Sequence, residues 1–173
     1  MPVTLLLFPS SGSPADRLIA HFEGSPTDAI HAAILCGDIV YEAVSPYVRM
    51  MPAERLPANV RRVPLVLTDQ QEAAFVAYLR ARVGQERYSI RQIAVDAIGL
   101  TTHHWLPAPT QGCDCSSLIA EGLASLGVCP FAPKDPADIT PQDLAAWADA
   151  GLPAVAPAST TADPPLVAAS GLA

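Results

Sequence analysis

The first 67 residues of the chain carry short apolar runs that are separated by turn-forming residues. An apolar run of about four to eight residues, bounded by Gly, Pro or Ser, is typical of a buried β-strand. The pattern predicts strands over Val3–Phe8, Ala29–Leu35, Asp38–Val44 and Val60–Leu67. Pro64 has no backbone N–H, which favours an edge or bulge position for the last strand. The proline-rich segment 46–59 is predicted to be a loop.

The rest of the chain carries helix-start signals and apolar residues at helical spacing. The segment Thr68–Gln71 fits a capping box, a reciprocal pair of side-chain bonds that begins a helix. Helices are predicted over Pro14–Glu23, from Thr68 to Gly84, over Tyr88–Leu100, from Cys115 to about Leu126 and from Thr140 to Gly151. We predict one domain over residues 1–152, followed by a disordered tail of Pro, Ala, Ser and Thr over 153–173.

Length and charge narrow the class of protein. A chain of 173 residues is long enough for one ordinary domain. Its 10 Lys and Arg residues against 17 Asp and Glu residues argue against a nucleic-acid partner, which requires a basic face. The sequence has no apolar run of about 18 residues, the length that a transmembrane helix needs. No basic segment precedes the first apolar run, so we expect no signal peptide and a cytoplasmic location.

The cysteines and histidines raise the question of a metal site. The candidate donors are Cys113, Cys115, Cys129, His103 and His104. Structural zinc sites usually bring cysteines in pairs separated by two to four residues, whereas a single residue separates Cys113 from Cys115. We therefore expect no metal ion and no cofactor.

Cys115 is the strongest candidate for a reactive side chain. It is predicted to begin a helix, where the helix dipole and the unpaired N–H groups of the first turn favour a thiolate over a thiol. Asp114 is the candidate N-cap, and the same N–H groups are candidates for holding an oxyanion. The alternative is a buried structural cysteine, since free cysteine is among the most buried residue types. Cys113 is expected to point elsewhere and to be unreactive.

A nucleophilic cysteine needs a base, and His31 is the best candidate because it interrupts a strand of small apolar residues. If the strands fold about Cys36-Gly37 with an even-length loop, His31 stands directly opposite Glu42. A carboxylate at this position would fix the tautomer of the imidazole. A loop of odd length would place Ala43 there instead. The alternative is a core histidine bonded to backbone, with Glu42 in solvent. The adjacent pair His103-His104 is a competing candidate base.

One hexapeptide resembles a known nucleophile motif. Asp114–Ile119 is similar to the Asp-Cys-Ser-Gly-Leu/Val motif of NlpC-type papain-like cysteine peptidases, with Ser117 in place of the usual glycine. In those enzymes the histidine follows the cysteine, whereas all four histidines precede Cys115 here. The order His31, Glu42, Cys115 resembles the circularly permuted branch of the family, represented by YiiX-like proteins and relatives of lecithin:retinol acyltransferase. The order of predicted strands and helices is similar to that branch as well.

The resemblance implies a permuted papain-like (NlpC-like) α+β fold, in which a small antiparallel sheet packs against helices. It implies Cys115 as the nucleophile, His31 as general base and acid, and Glu42 as the residue that orients His31. Tyr88 and Ser116 are further candidates for the oxyanion site or the pocket. The implied activity is a thiol hydrolase that cleaves an amide or ester bond, in a cell-wall peptide or an acyl-lipid substrate, through a thioester.

Three alternatives stay open at this point. The first is a cysteine acyltransferase that uses the same triad. The second is a catalytically silent papain-like module that binds a ligand or partner, in which the three side chains would lie too far apart to touch. The third is a cytosolic structural protein with incidental cysteines, in which Cys115 would be buried and inert. Many YiiX-like relatives are exported, and the absence of an export signal here leaves a cell-wall substrate in question.

Overall fold

The computed structural model of the protein describes residues 2–10, 29–44, 46–85, 113–128 and 130–151. These residues form five strands: β1 (Val3–Pro9), β2 (Ala29–Cys36), β3 (Ile39–Val44), β4 (Tyr47–Pro52) and β5 (Arg61–Pro64). They also form three α-helices: α1 (Asp69–Arg82), α2 (Cys115–Ser125) and α3 (Pro141–Asp149). Two single turns of 3₁₀-helix lie at Ala53–Arg55 and Pro136–Asp138. The predicted helices 14–23 and 88–100 and the predicted tail 153–173 lie outside the described residues.

The five strands form one antiparallel sheet in the order β4-β3-β2-β1-β5. Its strands and the three helices confirm an α+β fold with a small antiparallel sheet. The limits of β1, β2 and β3 lie within one residue of the prediction. β5 is shorter than predicted but occupies one edge of the sheet, as the lack of an N–H at Pro64 led us to expect.

The prediction of a loop over residues 46–59 is wrong for its first half. Tyr47–Pro52 forms β4, which pairs along its whole length with β3. Val48 is buried between two exposed neighbours, the alternation of a strand with one face in the core. Pro52 is the last residue of β4, so the prolines limit this edge strand rather than interrupt it.

The turn between β2 and β3 lies at Gly37-Asp38, one residue later than predicted. Gly37 has a φ of 63°, the left-handed conformation that two-residue hairpin turns require. Extended along the strands, the observed register places Glu42 opposite Ala33, so the predicted direct opposition of His31 and Glu42 is wrong. The observed loop also has an even number of residues, and the two side chains therefore keep to the same face of the sheet.

All three described helices begin where the sequence indicates. Thr68 caps α1 with the predicted capping box, Asp114 caps α2, and Thr140 caps α3. Capping depends on residues within a single turn, which explains why these limits follow from local sequence alone. No helix in the described part of the chain is long and apolar enough to cross a membrane.

The helices pack on the sheet and share its main core. Helix α2 contacts β2 and β3, α3 contacts β2, and α1 contacts α2. Helices α1 and α2 approach each other closely at Gly122, where an added Cβ would lie 2.3 Å from the ring of Phe75. This packing fixes α2 against the middle of the sheet and brings its N-terminus to the β2 strand.

Candidate active site

Cys115 is the first residue of α2, and its position is fixed by the Asp114 cap. One carboxylate oxygen of Asp114 accepts hydrogen bonds from the N–H of Ser116 (2.9 Å), the N–H of Ser117 (2.7 Å) and the hydroxyl of Ser116 (3.0 Å). The hydroxyl of Ser117 in turn accepts from the N–H of Asp114 (2.9 Å). Burial raises the pKa of Asp114, and the bonds from the two serines oppose that rise.

This cap gives Ser116 a different role from the expected one. Both its N–H and its hydroxyl donate to Asp114, and the residue is 1% exposed. The donors of Ser116 are therefore directed into the cap rather than toward a substrate. Of the first three N–H groups of α2, the one that Asp114 does not bind is that of Cys115 itself.

His31 lies on β2 beside an irregularity in the sheet. It stands opposite Phe8 of β1, and the next pair shifts by one residue to Pro9 and Ala29. Ala29 and Ala32 both belong to the core that the helices share, although strict alternation would place them on opposite faces. The strand therefore turns its faces at this point. A bulge commonly re-aims a side chain in this way, and here it turns Ala29 toward the core that the helices share.

The imidazole of His31 is held between an aromatic ring and a carboxylate. Its Nε2 donates a hydrogen bond to Oε2 of Glu42 over 3.1 Å. Its ring lies 5.0 Å from that of Phe8, centroid to centroid. The side chain of His31 is 21% exposed, and that of Glu42 is 5% exposed. Since Nε2 is bonded to Glu42, the nitrogen left for another partner is Nδ1.

That other partner is Cys115. Burial by itself lowers the pKa of His31. The negative charge of Cys115 and a hydrogen bond between the two side chains, followed by the bond and charge of Glu42, outweigh burial and raise the pKa to about 10. His31 is therefore a cation at neutral pH as long as Cys115 carries a negative charge. The three side chains proposed from the sequence thus lie together in the structure.

Arg49 is a fourth member of the cluster that the sequence analysis missed. Its Nε donates to Oε1 of Glu42 over 2.8 Å, and its terminal Nη2 lies 2.8 Å from the same oxygen. The residue is on β4, which was predicted to be a loop. The apolar residues on both sides of Arg49, from Tyr47 to Met51, are a weak strand signal that could have revealed β4, and with it the arginine facing Glu42.

Two other residues considered from the sequence lie in the core, and three lie outside the described residues. Cys113 is 1% exposed and belongs to the main core, and its lack of reactivity stays a prediction. Cys36 is also buried, and burial raises the pKa of its thiol to about 11. Tyr88, His103 and His104 lie outside the described residues. The described part of the chain contains no group of three or more Cys, His, Asp or Glu residues arranged to hold a metal ion.

Comparison of the sequence with protein-family models and with curated proteins gives no match. A cysteine at a helix N-terminus, an imidazole beside it and a buried carboxylate behind the imidazole form the constellation that nucleophilic catalysis requires. Such a site can form and break a bond between sulfur and an acyl carbon.

Proposed function

We propose that the protein is a thiol hydrolase that cleaves an amide or ester bond through a thioester on Cys115. The observation that carries the proposal is the contact of His31 with both Cys115 and Glu42. A structural role for Cys115 does not require a charged partner, and a silent module was expected to hold the three side chains apart. The geometry favours the hydrolase over both alternatives.

The proposed reaction has two halves, acylation and deacylation, that use the same side chains. In the first, the Cys115 thiolate attacks the substrate carbonyl carbon, and the C–S bond forms as the carbonyl oxygen becomes an oxyanion. The N–H of Cys115 is placed to donate to this oxyanion. The C–N or C–O bond then breaks, and His31 gives its proton to the leaving amine or alcohol. The product of this half is a thioester on Cys115 and a neutral His31.

In the second half, water replaces the leaving group. His31 takes a proton from the water as its oxygen attacks the thioester carbonyl, and the C–S bond breaks to release a carboxylic acid and the thiolate. Glu42 accepts from Nε2 throughout, which fixes the ring with Nδ1 toward the sulfur and stabilises the imidazolium. Each group thus returns to its starting state after one turnover.

The family resemblance adds to this proposal. The order of His31, Glu42 and Cys115, and the five-stranded antiparallel sheet with its helices, are compatible with a permuted papain-like fold. We propose that fold and the NlpC-like branch as the origin of the site. The substrate classes that the branch suggests are a cell-wall peptide and an acyl lipid.

Trapping the thioester tests the proposal. The protein is incubated with p-nitrophenyl esters and p-nitroanilides of short and long acyl groups, and both product release and intact mass are followed. We expect an acyl adduct on Cys115 that turns over, and none in Cys115→Ala. Cys36→Ala is the matched control, because Cys36 is equally buried and is expected to leave turnover unchanged.

Two outcomes would change the account. Turnover that persists in Cys115→Ala would overturn the hydrolase proposal. Acyl transfer to an added amine or alcohol in preference to water would replace it with the acyltransferase.

A further inference from the structure

Arg49 and Glu42 form a cross-strand pair at the edge of the sheet. They stand directly opposite each other on β4 and β3. Both nitrogens of the guanidinium that contact Glu42 converge on Oε1. The other carboxylate oxygen, Oε2, is bonded to His31. Each oxygen of Glu42 therefore has its own cationic partner, and the carboxylate cannot rotate without breaking one of the two interactions.

The exposure of the two side chains is unequal. Arg49 is 59% exposed, whereas Glu42 is 5% exposed. An ion pair between two exposed side chains contributes little, because water screens it. Here the carboxylate is out of water, and an unpaired buried charge is costly. The arginine thus lies at the solvent end of a row of groups that runs through Glu42 and His31 to Cys115.

We propose that Arg49 is a positioning residue of this site, which keeps Glu42 ionised and aimed at His31 and so acts on Cys115 through two intermediate side chains. This inference rests on the proposed function, since it assumes that the ion pair of His31 and Cys115 performs the chemistry. It assigns the role to a residue that touches neither the substrate nor the nucleophile.

The electrostatics of Glu42 agree with this role. Burial would raise its pKa, but the hydrogen bonds from His31 and Arg49, and the charges of both, lower the pKa below the ordinary value. In the described part of the chain, the charged groups that face Glu42 are His31 from β2 and Arg49 from β4, with Cys115 of α2 beyond His31. Loss of Arg49 removes one of the two cations that hold the carboxylate charged.

The consequence is a change in the acid limb of Cys115 reactivity, which is the low-pH part of the profile of alkylation rate against pH. Without Arg49, Glu42 takes up a proton at a higher pH than in the wild type. A neutral Glu42 no longer stabilises the imidazolium, and the thiolate loses its partner at the same pH. The acid limb therefore moves to higher pH, while the reactivity well above that limb stays the same.

The test is the rate of Cys115 alkylation by iodoacetamide between about pH 4.5 and 9, followed by peptide mapping of the full chain. We expect Arg49→Gln to lower the rate about threefold to tenfold on the acid limb and to leave the rate above it unchanged. Arg49→Lys keeps the charge but not the two-nitrogen contact, and its limb should lie between those of the wild type and Arg49→Gln.

Arg62→Gln is the matched control. Arg62 is an exposed arginine on β5, the opposite edge strand of the same sheet. Three strand spacings, about 14 Å, separate Arg62 from the strand that carries Glu42, which is more than the distance over which salt screens a charge. The same loss of charge at Arg62 should therefore leave the profile of Cys115 unmoved, and the melting temperature of each variant reports on folding.

The outcomes separate the two proposals. A wild-type acid limb at the position of an ordinary thiol would contradict the proposed function, and the role of Arg49 with it. If the wild-type limb lies away from the position of an ordinary thiol but Arg49→Gln does not move it, the role of Arg49 alone would be contradicted. An equal shift in Arg49→Gln and Arg62→Gln would also overturn it, since the effect would then be one of net charge.

Discussion

His31 and Glu42 meet although they are not directly opposite each other on their strands. The register of β2 and β3, continued beyond the pair Ile34 and Tyr41, places Glu42 opposite Ala33, yet Nε2 of His31 lies 3.1 Å from Oε2 of Glu42. Residues diagonal to each other across two strands are within reach when one side chain is long. The length of the glutamate side chain thus spans an offset of two residues.

The charge of Glu42 should be needed for turnover. Glu42→Gln keeps the size and the acceptor but removes the charge that stabilises the His31 imidazolium. We expect kcat to fall by a factor of about 10² to 10⁴ with a smaller change in KM. Steady-state kinetics on the best p-nitrophenyl ester provide the measurement. Glu54→Gln, at an exposed glutamate on the 3₁₀ turn, is the control and should be unchanged.

The raised pKa of His31 should depend on Cys115. The wild-type imidazole is expected to titrate at about 10, since the charge and hydrogen bond of Cys115 are the largest effects that oppose burial. The protonated form is favoured in the fold, so His31 keeps a proton for the leaving group up to that pH and loses it above. In Cys115→Ala the titration should move to lower pH, as measured from the imidazole C–H chemical shifts. An unmoved titration would show that the two side chains are not coupled.

The helix caps could be predicted from the sequence, whereas the geometry of the site could be predicted only in part. Thr68, Asp114 and Thr140 were predicted as helix starts because each cap is made within one turn. His31 and Glu42 were predicted as partners through an incorrect register, and the pairing held because an even loop preserves which face each residue occupies. The predicted loop was Cys36-Gly37, whereas the observed loop is Gly37-Asp38, one residue further along the chain.

Two features of the site needed the three-dimensional structure. Arg49 could not be placed because the prolines around β4 indicated a loop, and a segment that is taken for a loop has no predicted cross-strand partners. The contact of Cys115 with His31 joins elements that are distant in the chain, and no local pattern specifies it. The resemblance to a permuted family supplied that pairing at the sequence level.

The Asp114 cap should contribute measurable stability. Asp114→Ala removes the acceptor for the N–H groups of Ser116 and Ser117, and we expect the free energy of unfolding to fall by about 1 to 2 kcal/mol. Asp114→Asn retains an acceptor and should lose less. Denaturant unfolding is the measurement. The control is Asp135→Ala, since Asp135 is exposed and its side chain accepts a single bond at a 3₁₀ turn. Equal losses at the two positions would contradict the importance of the buried cap.

Gly122 should be intolerant of a methyl group. Glycine to alanine inside a helix ordinarily stabilises by about 1 kcal/mol. Here the new Cβ would lie 2.3 Å from a ring carbon of Phe75, and overpacking of this kind costs about 1 to 3 kcal/mol. We expect Gly122→Ala to lower the melting temperature, and Phe75→Leu to be less harmful in that background than in the wild type. A stabilising Gly122→Ala would contradict the close packing of α1 on α2.

The central claim is that His31 activates Cys115, and selective labelling tests it most directly. The protein is treated with limiting iodoacetamide at pH 6, and the modified cysteine is mapped. Cys115, Cys113 and Cys36 are all buried, at 6%, 1% and 4% exposure, so burial alone predicts uniformly slow labelling. We predict that Cys115 reacts at least about tenfold faster than the other two, and that His31→Ala abolishes the difference. Equal labelling of Cys113 or Cys36, or a Cys115 rate that His31→Ala leaves unchanged, would contradict the account.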